Sequence, residues 1–261
     1  MAHQFQITEF RAQHLQALRN VTIHSPSIIQ ILSGNKRLFW QEESVTLTPD
    51  SLILCSAASS WNFANLPQKG PFLSRVFSFH YFPSQEMLDL SESAAPSSTP
   101  SYCLIDKPIR DTLNTLATVN LKAMSPSTQQ YWLMPLYQQL AEQGALHKIF
   151  RSSKASLTQT ITQYLSIAPA DEHSLEGVAD HFGMSRATLI RKLKLEGSQY
   201  RQLLAQVRLS HALQLMQKHQ YDGYQLAQMC GYQSEERFRQ RFRERFGVTP
   251  REYQRTIGNE H

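Results

Sequence analysis

The chain has 261 residues, enough for one large domain or two of ordinary size. At 41% hydrophobic and 18% charged it can bury a real core, which excludes a disordered chain. It carries no apolar run of about 18 residues that would span a membrane and no signal-peptide pattern at its N-terminus, so a cytoplasmic protein is expected. Three cysteines, Cys55, Cys103 and Cys230, odd in number and far apart, argue against a disulfide framework or a C-x-x-C metal site.

The net charge of +5 is unevenly spread. Residues 1–150 hold 10 basic and 10 acidic side chains, whereas residues 151–261 hold 16 and 11. A neutral half joined to a basic half suggests a polyanion-binding module attached to something else. A solvated basic helix surface would give the same arithmetic.

The first ~85 residues read as short strands. Val21–His24, Ile28–Leu32, Lys36–Trp40, Ser44–Thr48, Ser51–Ser56 and Leu73–Phe82 are rich in branched and aromatic residues. Turn chemistry separates them, at Ser33-Gly34-Asn35, at Pro49-Asp50 and between Asn65 and Pro71. In the last strand bulky residues fall on both faces, which fits a sheet curled on itself or covered by helices. A small antiparallel barrel or sandwich is expected.

Ser91–Ser101 is a Ser/Pro/Ala stretch without periodicity and reads as a loop or linker. Helical patterns follow. Asp106 to about Ala123 places Ile109, Leu113, Leu116 and Asn120 on one stripe. A second helix opens at Ser125-Pro126, a cap followed by proline in the first turn, and should stop at Gly144 with a kink at Pro135. Its Leu133, Leu136, Tyr137 and Leu140 form a stripe that is either core or a dimer seam. After a polar joint at 151–154, everything from Ser156 reads as short helices.

Ser174–Glu196 carries a helix-turn-helix pattern. Ser174 caps a helix with Leu175, Val178, Ala179 and Phe182 inward, Gly183 supplies the turn, and Ser185 caps a second helix with Leu189 and Leu193 inward. One such pattern is a moderate signal, but a second follows. In Asp222–Phe246, Leu226, Ala227 and Cys230 lie inward, Gly231 turns, Ser234 caps, and Phe238, Phe242 and Phe246 run at i, i+4, i+8. A long helix of about Tyr200–His219 joins the two. Thr249-Pro250-Arg251-Glu252 is a capping box that opens a last helix.

Residues ~157–256 resemble the DNA-binding domain of the AraC/XylS family of bacterial transcription regulators. The segments SLEGVADHFGMSRATLIRKLK, VRLSHALQLM, QLAQMCGY and RFRERFGVTPREYQR carry the resemblance. The N-terminal fragments ILSGNKRLFW, LTPDSLILCS and NLPQKGPFLSRVFSF more loosely resemble the cupin-like barrel of many members. The implied architecture is α+β. Residues 1–150 would form a regulatory, effector or dimerisation domain, a β-barrel plus helices at 106–146. Residues 155–258 would form the all-α DNA-binding domain. The chain departs from the family between Glu196 and Gly197, where the family stretch is one residue longer.

A recognition helix meets base edges with the outward residues near its N-terminus. In the first motif these are Arg186, Ala187, Ile190 and Arg191, with Arg191 the best fit to guanine. In the second they are Glu236, Arg237, Arg239 and Gln240. Glu235 is better explained by the helix dipole than by a base. Ser185, Lys192, Lys194, Arg201, Ser234, Arg241, Arg243, Arg245 and Arg251 are candidate phosphate partners, which position the protein without reading sequence.

The resemblance implies an effector site or a dimer contact in the N-terminal half. Trp40, Trp61, Phe77 and Phe79 are candidate lining of an effector pocket, although aromatic residues also simply fill small barrels. Lys36, Arg37 and Arg75 are available to an acidic ligand or to solvent. No metal triad, phosphate-binding loop or hydrolase motif is visible, so a non-enzyme without cofactor or metal is expected. The expected partner is double-stranded promoter DNA. RNA polymerase, a small-molecule effector and a second copy of the chain are further candidates, and no membrane is expected.

Overall fold

A computed structural model of the chain describes residues 3–40, 43–95, 101–120 and 123–258. The N-terminal half is an antiparallel two-sheet sandwich. One sheet has the order β1(Phe5–Ala12), β8(Phe72–Phe79), β3(Ser27–Ser33), β6(Ser51–Cys55), β9(Tyr102–Leu104). The other has the order β2(Gln16–Thr22), β7(Ser60–Leu66), β4(Asn35–Trp40), β5(Glu43–Leu47). Among the described residues no strand pairing closes the two into a barrel. Ala12, Ile29, Ile31, Leu38, Leu47, Ile53, Cys55 and Phe72 fill the space between them.

The outer face of the first sheet is covered by α1(Gln85–Ala94), α2(Lys107–Thr118), α3(Pro126–Glu142) and α4(Leu146–Ile149). This double coverage explains β6, in which all five residues are buried, because a strand covered on both faces reads as a continuous apolar run. It also explains the bulk on both faces of β8: Phe72 and Val76 face the sandwich, and Phe77 and Phe79 face the helices. At the β3–β4 turn Gly34 has φ +72°, and a Cβ there would stand 2.7 Å from the Leu66 carbonyl oxygen, so only glycine fits.

Several sequence expectations need correction. Strands β1, β7 and β9 and helices α1 and α4 lie outside the elements expected from the sequence. The stretch expected as a loop from Ser91 begins inside α1, where Ser91 is fully buried and its Oγ lies 2.9 Å from His147 Nδ1. Residues 96–100 of that stretch lie outside the described residues. Helix α2 ends at Thr118, so Asn120 is not on its stripe; residues 121–122 of the expected helix lie outside the described residues. Pro135 sits within a single continuous α3, and the turn that follows uses Gly144 at φ +67°. Leu133, Leu136, Tyr137 and Leu140 are fully buried against α1, α2 and the sheet, so the stripe is core. The outward face of α3 carries Tyr131, 78% exposed, and Trp132.

The C-terminal helices are α5(Leu157–Ile167), α6(Leu175–His181), α7(Arg186–Leu195), α8(Tyr200–Lys218), α9(Gly223–Met229), α10(Glu235–Phe246) and α11(Pro250–Ile257). Side-chain caps at Ser156, Ser174, Ser185, Asp222, Ser234 and Thr249 satisfy the first N–H groups of α5, α6, α7, α9, α10 and α11. They form two cores strung on α8. Tyr200, Leu203 and Val207 pack with Ile161, Leu165, Val178, Ala179, Leu189 and Leu193. Leu209, Ala212, Leu213, Leu215 and Met216 pack with Leu226, Ala227, Phe238, Phe242, Phe246 and Tyr253.

The second core is not self-contained. Leu18 of β2 is buried in it, and Val21 and Phe63 pack against it, so α8, α10 and α11 close the edge of the sandwich formed by the end strands β1 and β2. Polar contacts rim this apolar patch. The Gln13 N–H donates to the Thr256 carbonyl at 2.7 Å, and Gln16 Nε2 donates to Thr256 Oγ1 at 2.6 Å. Gln217 Oε1 accepts from the Arg11 N–H at 3.0 Å. Arg245 Nη2 donates to Thr22 Oγ1.

Candidate nucleic-acid interface

Each helix-turn-helix depends on a glycine in the left-handed region, Gly183 at φ +64° and Gly231 at φ +74°. Four residues earlier Ala179 and Ala227 are buried, small enough for the paired helices to meet. Helix α7 buries Leu189 and Leu193 and leaves Arg186, Ala187, Ile190 and Arg191 exposed, with Ile190 at 50%. Lys192, Lys194 and Arg201 are also exposed. Helix α10 buries Phe238, Phe242 and Phe246 and exposes Glu236, Arg237, Arg239, Gln240, Arg241 and Arg243. The structure therefore brings the candidate base readers together on two solvent-facing helix surfaces. The β-sandwich packs behind α10, on its apolar side.

Local contacts distinguish these side chains. Arg239 Nη2 donates to both Glu236 oxygens, at 2.9 and 2.7 Å, and Gln240 Nε2 donates to Glu244 Oε1 at 2.8 Å. Glu236, Arg239, Gln240, Arg243, Glu244 and Thr249 line one shallow groove of about 410 Å³ along α10. Glu235 turns away from that groove. Its carboxyl lies where a Cβ on Gly223 would stand, over the first turn of α9, in keeping with a helix-dipole role. Ser185 Oγ and Ser234 Oγ accept from the Thr188 and Arg237 N–H groups, so both hydroxyls serve as caps. Arg251 is exposed at the start of α11. Arg245 is the exception among the basic residues of α10: it faces β2 rather than the outward surface.

Glu196, at the end of the first motif, does more than end a helix. Its two carboxylate oxygens accept from the Leu157 and Thr158 N–H groups at 3.0 and 2.7 Å, tying the end of α7 to the start of α5. Burial alone would raise its pKa; the donors from Thr158, Leu157 and Ser156 outweigh that and hold it below the usual carboxylate range. Gly197 then turns the chain at φ +70° into α8. The first motif thus ends in a carboxylate clamp followed by a glycine turn.

The effector candidates divide. Trp40 and Trp61 meet edge to face, with ring centroids 6.1 Å apart. They line a groove of about 350 Å³ with serines 56, 59, 60 and 101 and, from the α4 side, His147, Lys148 and Arg151. Phe77 and Phe79 do not belong to it. Both are fully buried under the helices, because their side of β8 is the helix-covered one. Of the cations, Arg37 hydrogen-bonds Thr46 and Arg75 pairs with Glu9 at 2.8 Å. Lys36 is buried inside the sandwich, where its Nζ donates to Asn65 Oδ1 and lies 3.6 Å from the Phe63 ring centroid. Burial pushes the Cys55 and Cys103 thiols up to about 12 and 11, which leaves them as unreactive thiols at neutral pH. Among the described residues no helix is long and apolar enough to cross a membrane.

Residues 178–256 match the family model described as a helix-turn-helix domain. The transcriptional regulator GadX of Escherichia coli K12 is 40% identical over 85 residues, covering 33% of this chain and 31% of GadX. The transcriptional activator CfaD of Escherichia coli is 27% identical over 108 residues, 41% of each chain. The chain thus spans about a third to two fifths of the length of these curated relatives. The likeness to ToxT of Vibrio cholerae extends over the whole fold: TM-score 0.63 at 16% identity, covering 98% of this chain and 100% of ToxT. The C-terminal half is a double helix-turn-helix domain of the AraC/XylS type. It follows an N-terminal antiparallel β domain in the ToxT-like arrangement.

Proposed function

We propose that the chain is a sequence-specific DNA-binding transcriptional regulator. Residues 155–258 act as the DNA-binding part and residues 1–150 as the part that receives a signal. The observation that carries this reading is the pair of helices α7 and α10. Each is anchored by apolar side chains on one face and bears guanidinium and amide groups on the other, and both are joined through the single helix α8. Arg186, Arg191, Arg239 and Gln240 read base edges in two successive major grooves, while Ala187 and Ile190 make apolar contacts such as with a thymine methyl. Lys192, Lys194, Arg201, Arg241, Arg243 and Arg251 meet phosphates and set register. The relatives are named as regulators and activators, in keeping with a non-enzymatic role.

The test is selection of genomic fragments by the purified full chain at physiological salt, repeated with Arg191 and Gln240 changed to alanine. Enriched sites holding two short boxes one turn apart, lost in the variant, are expected. Binding without any enriched sequence, falling steeply with salt, would reduce the basic half to a non-specific polyanion surface.

The groove at Trp40 and Trp61 is the proposed effector site. One wall is aromatic, the floor carries serine hydroxyls, and the other wall carries Lys148 and Arg151, a lining suited to a small organic acid. A structure of ToxT is described with an unsaturated fatty acid bound, which agrees with an acid as ligand class. Helix α4 runs directly into the 151–156 joint, so a ligand drawing on Arg151 pulls on the segment that leads to α5.

A further inference from the structure

The changeover between the two helix-turn-helix cores falls within α8, between Val207 of the first and Leu209 of the second. The residue between them is Arg208. Its Nε donates to the Pro169 carbonyl at 3.1 Å, and its Nη2 donates to the Asp171 carbonyl at 2.9 Å. Both carbonyls belong to the α5–α6 loop that leads into the first motif and packs with its core. On its other side the guanidinium lies across the turn of the second motif. A Cβ built on Gly231 would stand 2.8 Å from its Cζ, Nε and Nη2 alike, so the planar group is laid over the glycine backbone. Tyr200 Oη adds a hydrogen bond to the His173 carbonyl at 2.8 Å and so holds the same loop from the first turn of α8.

We infer that Arg208 is a positioning residue that sets the angle between the two recognition helices, and through it the box spacing the protein accepts on DNA. The physical reason is geometric. The two cores share no buried residue, so α8 alone would leave each motif free to pivot on it. A rigid planar fork that bonds the loop of one motif and stacks on the turn of the other removes that freedom. Glycine at 231 then has a second reason besides its positive φ, since any side chain there would displace the guanidinium. Lysine at 208 keeps the charge but has no flat fork to donate to two carbonyls while lying on the glycine. The part of this inference that concerns DNA rests on the regulator reading above.

The experiment uses the full chain with spin labels on cysteines placed at Ala187 and Gln240, one on each recognition helix, and compares Arg208 with R208K and R208A. A narrow inter-label distance distribution is expected for Arg208 and a broad one for both variants, with thermal unfolding of R208K close to the parent. In parallel, unlabelled proteins with the native residues at 187 and 240 select from a DNA pool in which two boxes are separated by a variable spacer. Arg208 should favour one spacing by about tenfold or more. The variants should accept several spacings, while their affinity for a single box stays within about twofold. An unchanged distance distribution in both variants overturns the inference, as does a uniform loss of affinity at every spacing and at the single box. A broadened distribution together with no selected sequence even for Arg208 would keep the strap and overturn the DNA reading instead.

Discussion

His24, just beyond β2, and Ser210, in the middle of α8, are hydrogen-bonded at 2.9 Å across 186 residues of chain. The contact joins the sandwich to the second helix-turn-helix. Burial, with the Arg245 charge adding to it, lowers the His24 pKa from 6.5 to about 4. The imidazole is therefore neutral when docked, and protonation opposes docking.

The undocked or unfolded chain takes up the proton near pH 6.5, and the folded one only near pH 4. Stability from this group is complete above about pH 6.5 and is lost as pH falls toward 4, by up to about 3 kcal/mol. Urea unfolding between pH 7 and 4.5 should follow this loss, and His24→Gln should flatten it. The same slope in both proteins would remove His24 from the account.

Lys36 works in the opposite range. Burial holds its ammonium down to about 7, against an ordinary 10.5, with the nearby Cys55 opposing. Between those values the unfolded chain holds more protons than the folded one, so stability should rise with pH from about 7 to 10.5. Replacing Lys36 by Met removes a buried cation that has an amide and an aromatic ring as partners rather than a carboxylate. A gain of about 1–3 kcal/mol at pH 7, and loss of the slope, is expected in denaturant titrations. Equal or lower stability of the variant would mean that the Asn65 and Phe63 contacts outweigh the desolvation cost.

Arg191 is exposed on α7 and placed to read a base. Arg191→Ala should weaken specific binding by about 1–3 kcal/mol and relax preference at one base position. Fluorescence anisotropy on a set of single-base variants of the selected site measures this. Equal weakening on every sequence would reassign Arg191 to phosphate.

Glu236 holds Arg239 on the outward face of α10. Glu236→Gln removes a negative charge from that face and frees the guanidinium. Affinity for unrelated DNA should rise severalfold with a steeper salt dependence, and preference in the second box should change. If binding and preference both stay the same, the pair exchanges readily on DNA and does not set readout.

The C-terminal helices were legible because their boundaries are written in local chemistry. Ser174, Ser185, Asp222, Ser234 and Thr249 cap, Gly183 and Gly231 take positive φ, and Phe238, Phe242 and Phe246 hold one face. The sandwich is less legible. Strand β7 pairs with both β2 and β4, yet its sequence alternates Trp61 and Phe63 with asparagine, which dilutes the strand signal. Helix α1 was hidden by serine and alanine, although Leu88 and Ser91 lie one turn apart and both are buried. Long-range placement left no local trace. Nothing beside Lys36 announces its burial, nothing beside Leu18 announces that it completes a core formed mainly by residues after 208, and nothing near Arg208 names Pro169 or Asp171 as its partners.

The seam at Thr256 also bears on how the molecule assembles. Gln16 and Thr256 are bonded although they stand 240 positions apart in the chain, so that contact closes a loop nearly as long as the chain. Closing such a loop costs more entropy than forming a hairpin or a helical pair, and long-range contacts of this kind form late. During synthesis the strand bearing Leu18 must wait, with its edge of the sandwich uncovered, until α10 and α11 have been made. Each half can begin building its own core meanwhile, and the joining of the two ends requires both to have been made.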